Sequence, residues 1–191
     1  MHMQKQTIPE NAKRVFQGII YDVYQWEQKQ FDGSVKTFEM LKRPSSECVI
    51  AVVGDKIIIQ EQEQPDREPF LSCPGGRNDQ GEEDIVAAKR ELLEETGYTS
   101  EDVVFWKKIT PVSKIEWNVN YFVARNCKNI QEPKLDSGEK IKNKLISFEE
   151  FLMISESQAF RDKELTATLL HMRLYPEEQQ KFKKLLFGEE K

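Results

Sequence analysis

The sequence has few of the features that mark secreted, membrane-bound or nucleic-acid-binding proteins. Its three cysteines, Cys48, Cys73 and Cys127, are odd in number and lack metal-ligand spacing, so we predict neither a disulfide framework nor a zinc site. No apolar run reaches the roughly 20 residues that span a bilayer, and no secretory signal opens the chain. A net charge of -5 gives no general attraction to nucleic acid or to an anionic membrane. We therefore expect a cytoplasmic protein with neither of those partners.

The composition is that of a polar but globular chain. Of its 191 residues, 38% are hydrophobic and 32% are charged. This length suffices for one domain with extra elements and a real core.

The most informative stretch is GRNDQGEEDIVAAKRELLEETGY, which runs from Gly76 to Tyr98. Residues 82–96 contain neither proline nor glycine and are rich in Ala, Leu, Glu, Lys and Arg, which predicts a helix. Gly97 is placed where a left-handed C-cap would end that helix. Ile85, Ala88 and Leu92 fall at helical spacing and are expected to face the core.

The same helix is predicted to place several carboxylates together. Glu91 and Glu95 are four residues apart and share a face, with Glu94 beside them. Like charges at that spacing destabilise a bare helix, so a bound cation would compensate them. Clustered oxygen ligands without His or Cys suit Mg²⁺, with Mn²⁺ as an alternative. The competing interpretation is a solvated surface helix with salt bridges, which is typical of Glu-rich helices.

Further elements follow from hydrophobic patterning and turn residues. Residues 14–42 flank Asp32-Gly33 and predict a long hairpin, and residues 48–60 predict a second one. We also predict strands over 103–109, 119–124 and 141–146. Ser147 begins a capping box, Asp162 could cap a helix with Leu165, Leu169 and Met172 on one face, and Pro176 should break that helix.

The spacing of the central stretch resembles the signature box of the Nudix hydrolases. It reads Gly76, five residues, Glu82, seven residues, Arg90-Glu91-Leu92, one residue, Glu94-Glu95, one residue, Gly97-Tyr98, so every specified position is filled. The resemblance implies an α/β fold: an α/β/α sandwich with a mixed sheet, preceded by an N-terminal antiparallel β hairpin. It divides the chain into residues 1–44, with the leader and hairpin, and residues 45–191, with the hydrolase domain and C-terminal helices.

The resemblance also implies catalytic roles. Glu91 and Glu95 would ligate the metal with help from Glu94, and Gly75 would offer its carbonyl. From spacing alone, Arg90 lies four residues before Glu94 and would hold that carboxylate in place. A loop acid would be the general base, with Glu139 preferred and Asp136 as the alternative.

Outside the box, the chain resembles the ADP-ribose pyrophosphatase branch of that family. In that branch the hairpin often contributes to a dimer interface and to the nucleotide pocket, so we expect a homodimer. Candidate substrate residues are Arg43, Gly76, Arg77 and Glu116. The chain departs from the branch in having residues 61–65 (EQEQP) where an arginine is common, and Ser72 where a glutamate is common. Arg43, Arg67 and Arg77 could replace the missing arginine.

The implied reaction is metal-dependent hydrolysis of the diphosphate bond of a nucleoside diphosphate sugar, such as ADP-ribose or GDP-mannose. Its products would be a nucleoside monophosphate and a sugar phosphate. Two alternatives stay open at this point. One is a hydrolase of nucleoside triphosphates or dinucleoside polyphosphates, and the other is a non-catalytic sensor of nucleotide sugars.

Overall fold

The structure is a computed structural model that describes residues 7–188, so part of the predicted N-terminal leader lies outside the described residues. Twelve strands and four α-helices are formed within that range. The strands are β1 (Lys13–Gln17), β2 (Asp22–Lys29), β3 (Val35–Lys42), β4 (Ser46–Val53), β5 (Lys56–Glu63), β6 (Phe70–Ser72), β7 (Tyr98–Thr99), β8 (Asp102–Ile109), β9 (Ile115–Glu116), β10 (Val119–Arg125), β11 (Lys128–Asn129) and β12 (Lys140–Ile146). The helices are α1 (Asp84–Thr96), α2 (Phe148–Met153), α3 (Lys163–Leu174) and α4 (Pro176–Phe187).

The N-terminal strands form a four-stranded sheet in the order β1-β2-β3-β9. The predicted hairpin at Asp32-Gly33 is confirmed by the antiparallel pairing of β2 with β3, across which Trp26 packs on Phe38 at 4.9 Å between ring centroids. Its first arm is not one strand, however, because the chain turns between β1 and β2. Gly18 makes this turn possible, since a Cβ there would lie 2.5 Å from the carbonyl oxygen of Tyr21. The strand β9 lies beyond residue 44, so the domain division at that residue stays a prediction.

The central sheet has the order β12-β5-β4-β10-β8, with β6 paired to β5. β10 runs parallel to β4, and the other pairs in this sheet are antiparallel, so the sheet is mixed. β4 and β5 are almost continuously buried, as expected for strands covered on both faces.

Helices cover both faces of the central sheet and divide the core into two clusters. On one face, α1 packs through Ala88 and Leu92 against Val49, Ile58 and Phe122. On the other face, α2, α3 and α4 bury a larger group around the sheet: Ile50, Val52, Ile57, Tyr121, Phe151, Leu165, Leu169 and Phe182. The predicted α/β/α sandwich is confirmed.

Local signals at the C-terminus act as expected. Ser147 accepts a hydrogen bond from the Glu150 backbone N–H, and the Glu150 carboxylate accepts one from the Ser147 backbone N–H, which completes the capping box. Asp162 accepts a hydrogen bond from the Leu165 N–H at 2.7 Å and so caps α3. α3 ends before Pro176, which starts α4.

The prediction that Ile85 faces the core is wrong. α1 begins at Asp84, two residues later than expected, so Ile85 belongs to its first turn and remains 37% exposed. The helix rests on the sheet further along, through Ala87, Ala88 and Leu92.

No helix among residues 7–188 is both long enough and apolar enough to cross a bilayer.

Replacing Leu92 by alanine should lower the free energy of unfolding by about 2–5 kcal/mol, because the buried side chain would leave a cavity between α1 and the sheet. Ile85→Ala on the same helix is the matched control and should change it by no more than about 0.5 kcal/mol. Urea denaturation of the three proteins measures both effects. Equal losses would contradict this description of the face that α1 buries.

Candidate active site

The loop before α1 lies against the start of β4. The Glu47 N–H donates to the Gly76 carbonyl and the Val49 N–H donates to the Pro74 carbonyl, both at 2.8 Å. Gly75 has a φ of +146°, and a Cβ on it would meet the Glu47 carbonyl oxygen at 2.0 Å. Only glycine therefore allows the loop to approach β4 so closely.

Glu95 is the most constrained carboxylate of this region. It is 6% exposed, and its Oε2 accepts hydrogen bonds from the Gly75 N–H at 2.8 Å and from Gln60 Nε2 at 3.2 Å. Its pKa is raised to about 8, chiefly by burial and also by the nearby carboxylates of Glu91 and Glu139. The hydrogen bond to Gly75 joins the last turn of α1 to the glycine loop.

Glu91 lies against the next glycine of the loop. A Cβ on Gly76 would come within 2.5 Å of the Glu91 carboxylate, so the carboxylate occupies the space beside a residue that has no side chain. Burial raises the pKa of Glu91, and Glu94 and Glu139 add to the increase. Burial and nearby carboxylates thus raise the pKa of Glu91, as they raise that of Glu95.

Arg90 binds three carboxylates of the box. Its guanidinium pairs with Glu82 at 2.9 Å, with Glu91 at 2.8 Å and with Glu94 at 3.1 Å. The hydrogen bonds that Arg90 donates to Glu82, followed by those that it donates to Glu91 and Glu94, raise the pKa of Arg90, so its charge is permanent. The sequence predicted the Glu94 contact, whereas Glu82 and Glu91 are additional partners.

Glu139 is brought to the same cleft by the loop before β12. Burial raises its pKa, with a further increase from Asp136. Asp136 itself is exposed, and its carbonyl accepts a hydrogen bond from the Glu139 N–H at 3.0 Å. Of the two candidate bases, Glu139 is therefore the one that lines the cleft together with Glu95.

The cleft has a volume of about 480 Å³ and contains most of the predicted site residues. Arg43, Gly75, Gly76, Arg77, Glu95 and Glu139 line it. Trp117 also lines it, donates from Nε1 to Ser46 Oγ at 3.2 Å, and has the Arg43 guanidinium 4.6 Å from its ring centroid.

The structure does not bring Glu116 into the cleft wall with these residues. Glu116 pairs with Lys42 at 2.7 Å and accepts a hydrogen bond from the Ile8 N–H at 3.0 Å, at the seam between β9 and β3. A role for Glu116 in substrate binding stays a prediction.

Several cleft residues were not singled out from the sequence as site residues. Arg161 and Asp162 come from the start of α3, and Gln62 comes from β5. Asp162 was foreseen only as a helix cap, and it also accepts a hydrogen bond from Tyr121 Oη at 2.8 Å. These residues are far from the box in sequence, and no spacing rule connects them to it.

The oxygen donors of this region fit a hard divalent cation, although their side chains do not surround one common point. Among residues 7–188, no three acidic, His or Cys side chains are already arranged around a common position for an ion. Besides burial, Glu139 raises the pKa values of both Glu91 and Glu95, and Glu91 raises that of Glu95. Of these three carboxylates, Arg90 pairs only with Glu91. Within the described range, no hydrogen bond is made to the Gly75 carbonyl. All of these donors are oxygen atoms, which Mg²⁺ and Mn²⁺ prefer.

Comparison with known proteins identifies the family of the chain. The NUDIX domain family model matches residues 42–169, about two thirds of the chain. The ADP-ribose pyrophosphatase of Bacillus subtilis (strain 168) is 26% identical over 172 residues, which cover 85% of this chain and 90% of that protein. The methanol dehydrogenase activator of Bacillus methanolicus is 30% identical over 94 residues, or 48% of this chain and 51% of its own length.

A solved structure has the same fold. The crystal structure of an ADP compounds hydrolase superposes with a TM-score of 0.71 at 23% identity and covers 94% of this chain and 98% of its own.

Gly75→Ala should destabilise the protein by about 1–3 kcal/mol, because the new Cβ meets the Glu47 carbonyl and the left-handed backbone is strained for alanine. Gly138→Ala is the control, since a Cβ there meets no atom within 4 Å and its φ is ordinary, so its effect should stay within about 0.5 kcal/mol. Thermal and urea unfolding measure the stability change of both variants. A neutral Gly75→Ala would contradict the close approach of the loop to β4.

Proposed function

The chain belongs to the NUDIX family, and from that premise we propose that it hydrolyses the diphosphate bond of a nucleoside diphosphate sugar. It is a hydrolase similar to ADP-ribose pyrophosphatase. The proposed substrate is ADP-ribose, GDP-mannose or a similar compound, and the products are a nucleoside monophosphate and a sugar phosphate. One observation supports the proposal: a single cleft combines the buried box carboxylate of Glu95 and the loop carboxylate of Glu139 with arginines suited to phosphate.

Enzymes of this family generally use a divalent metal, and we propose Mg²⁺, with Mn²⁺ as a substitute. Glu91 and Glu95 would hold it, with Glu94 and the Gly75 carbonyl contributing. When bound, such a cation neutralises phosphate charge and lowers the pKa of water.

The protein's own groups fix the geometry of the carboxylates. The Gly75 N–H orients Glu95 through a hydrogen bond of 2.8 Å, so this carboxylate cannot rotate freely. Arg90 holds Glu91 and Glu94 from the other side through ion pairs of 2.8 and 3.1 Å. Both contacts restrict the carboxylates before substrate arrives, which lowers the cost of organising the site during the reaction.

Glu139 is the proposed general base. Its partly buried carboxylate has a raised pKa, which makes it a better proton acceptor than an ordinary exposed glutamate. It takes a proton from the attacking water as the water oxygen forms a bond to phosphorus. The bond from that phosphorus to the bridging oxygen breaks, and the other phosphate leaves with the electron pair. Asp136 is the alternative base.

Arginines and aromatic rings in the cleft suit the remaining parts of the substrate. Arg43 and Arg77 can contact the diphosphate, and the Gly76 backbone allows close approach. The Arg43 guanidinium lies between the rings of Trp117 and Tyr21, at 4.6 and 5.7 Å from their centroids. These ring contacts, with the hydrogen bond from Arg43 Nη2 to Ser46 Oγ at 3.2 Å, hold Arg43 at the cleft, where its guanidinium would bind an anion.

The reaction is tested by incubating the protein with Mg²⁺ and separate candidate substrates, then identifying the products by mass. The panel contains ADP-ribose, GDP-mannose, UDP-glucose, a dinucleoside polyphosphate and the deoxynucleoside triphosphates. Cleavage of a diphosphate sugar to two monophosphates supports the proposal. Preference for a triphosphate or dinucleoside polyphosphate would replace it with the nucleotide-pool reaction, and no turnover at all would favour a sensor.

Glu95→Gln should reduce turnover by about 100-fold or more, because a neutral amide is a much weaker ligand for a hard cation. The fold should persist, since the glutamine carbonyl oxygen can still accept from the Gly75 N–H. Glu101→Gln, which changes an exposed glutamate, is the matched control and should retain full activity. Wild-type turnover by Glu95→Gln at saturating Mg²⁺ would place the metal elsewhere.

We also propose that the protein is a homodimer formed through the N-terminal sheet. Large apolar side chains are exposed there, including Phe16 at 60%, Ile19 at 98% and Phe31 fully. An exposed apolar surface of this kind is typical of a protein–protein interface. Light scattering at micromolar concentration should give twice the chain mass of 22.4 kDa, and Ile19→Lys should lower that value. A monomer mass for the unmodified protein would contradict the proposal.

A further inference from the structure

The arginines of this protein divide into two groups by their ion pairs. Four have a carboxylate partner within 3.2 Å: Arg14, Arg90, Arg125 and Arg173. Within residues 7–188, the other four have no carboxylate at ion-pair distance: Arg43, Arg67, Arg77 and Arg161. Three of these unpaired arginines line the cleft, and the fourth, Arg67, is close enough to Arg161 to affect its pKa.

Arg161 is fixed at the edge of the cleft by its backbone and by a ring. Its N–H donates to the Leu71 carbonyl at 2.9 Å, which ties it to β6. Its guanidinium carbon lies 4.9 Å from the centroid of the Phe70 ring. Strand β6 carries no acidic residue, and the adjacent Asp162 is occupied by Tyr121 and by the Leu165 N–H. The guanidinium is therefore held in position without a counterion.

The surroundings of Arg161 disfavour its positive charge. Burial lowers the pKa of Arg161, and the positive charges of Arg67 and Arg43 lower it further. An arginine stays protonated in spite of such effects, so the repulsion remains in the folded protein. Binding of an anion would relieve it.

We propose that Arg161, together with Arg43, forms a subsite that binds a phosphate group of the substrate. The planar guanidinium of Arg161 matches two phosphate oxygens at once and gives charge-assisted hydrogen bonds. The subsite takes the place of the arginine that the sequence lacks in residues 61–65. The assignment of this phosphate to a nucleotide sugar rests on the proposed function, whereas the binding of a phosphate anion does not.

Isothermal titration with inorganic pyrophosphate tests the subsite directly. EDTA is present, so that no divalent cation can hold the anion at the box carboxylates. Arg161→Gln should weaken pyrophosphate binding by about tenfold, as expected for the loss of a hydrogen bond to a charged group. Arg161→Lys should retain part of the pyrophosphate affinity, because lysine keeps the positive charge but cannot bind two phosphate oxygens at once as the planar guanidinium does.

Arg173→Gln is the matched control. It removes the same charge from α3, which begins two residues after Arg161, and Arg173 pairs there with Glu156 at 2.6 Å outside the cleft. Its pyrophosphate affinity should stay within about twofold of the unmodified protein, since exposed ion pairs contribute little. If Arg173→Gln and Arg161→Gln weaken pyrophosphate binding equally, the effect comes from the change in net charge, and this would overturn the subsite. Failure of the unmodified protein to bind pyrophosphate would also overturn it.

Kinetics separate this inference from the proposed reaction. With the preferred diphosphate sugar, Arg161→Gln should raise KM and leave kcat within about twofold, because the contact is made in the ground state as well as in the transition state. If no diphosphate sugar is hydrolysed but Arg161→Gln still weakens pyrophosphate binding, the proposed reaction is wrong and the subsite is supported. If a sugar is hydrolysed and Arg161→Gln changes neither KM nor pyrophosphate affinity, the subsite is wrong. Melting temperatures of all variants exclude unfolding as the cause.

Discussion

The hydrogen bond from the Gly75 N–H to Glu95 is the contact on which the rest of the site depends. It joins the glycine loop to the last turn of α1 at 2.8 Å. The loop can take this position only because Gly75 packs on the Glu47 carbonyl and Gly76 packs on the Glu91 carboxylate. Two glycines and two glutamates thus define each other's positions. This mutual dependence gives a physical reason for the fixed spacing between the loop and the helix residues of the box.

Charge pairing separates structural groups from groups available to a ligand. Arg90 is fully committed to Glu82, Glu91 and Glu94, so its role is to hold the box together. The cleft arginines have no such commitment among the described residues, and the carboxylates of Glu95 and Glu139 repel one another nearby. In such a cleft, the unpaired arginines suit a phosphate compound and the carboxylates without a cationic partner suit a divalent cation.

Much of the fold and the grouping of the box side chains could be predicted because those signals are local. The cap at Gly97, the capping box at Ser147 and the hairpin at Asp32-Gly33 each depend on a few adjacent residues, and all three are confirmed. The grouping of Glu91 and Glu95 follows from helical periodicity alone. The exposed position of Ile85 could not be read from that periodicity, because it depends on where the helix meets the sheet.

The positions of site residues outside the box could not be predicted from the sequence for a related reason. Arg161 reaches the cleft because its backbone pairs with Leu71, which is 90 residues earlier in the chain. The resemblance to the ADP-ribose pyrophosphatase branch made Glu116 a candidate substrate residue, whereas the short β9 strand directs its side chain to Lys42. Both outcomes depend on pairing between distant segments, for which the sequence contains no local pattern.

Titration with Mn²⁺ followed by electron paramagnetic resonance tests the central claim, that the box carboxylates form a cation site at the cleft. We predict that the signal of free Mn²⁺ falls on addition of the unmodified protein, that Glu91→Gln abolishes this fall, and that Glu101→Gln preserves it. Equal Mn²⁺ binding by the unmodified protein and Glu91→Gln would contradict a cation site at the box carboxylates, because the cation would then be held by residues outside the box.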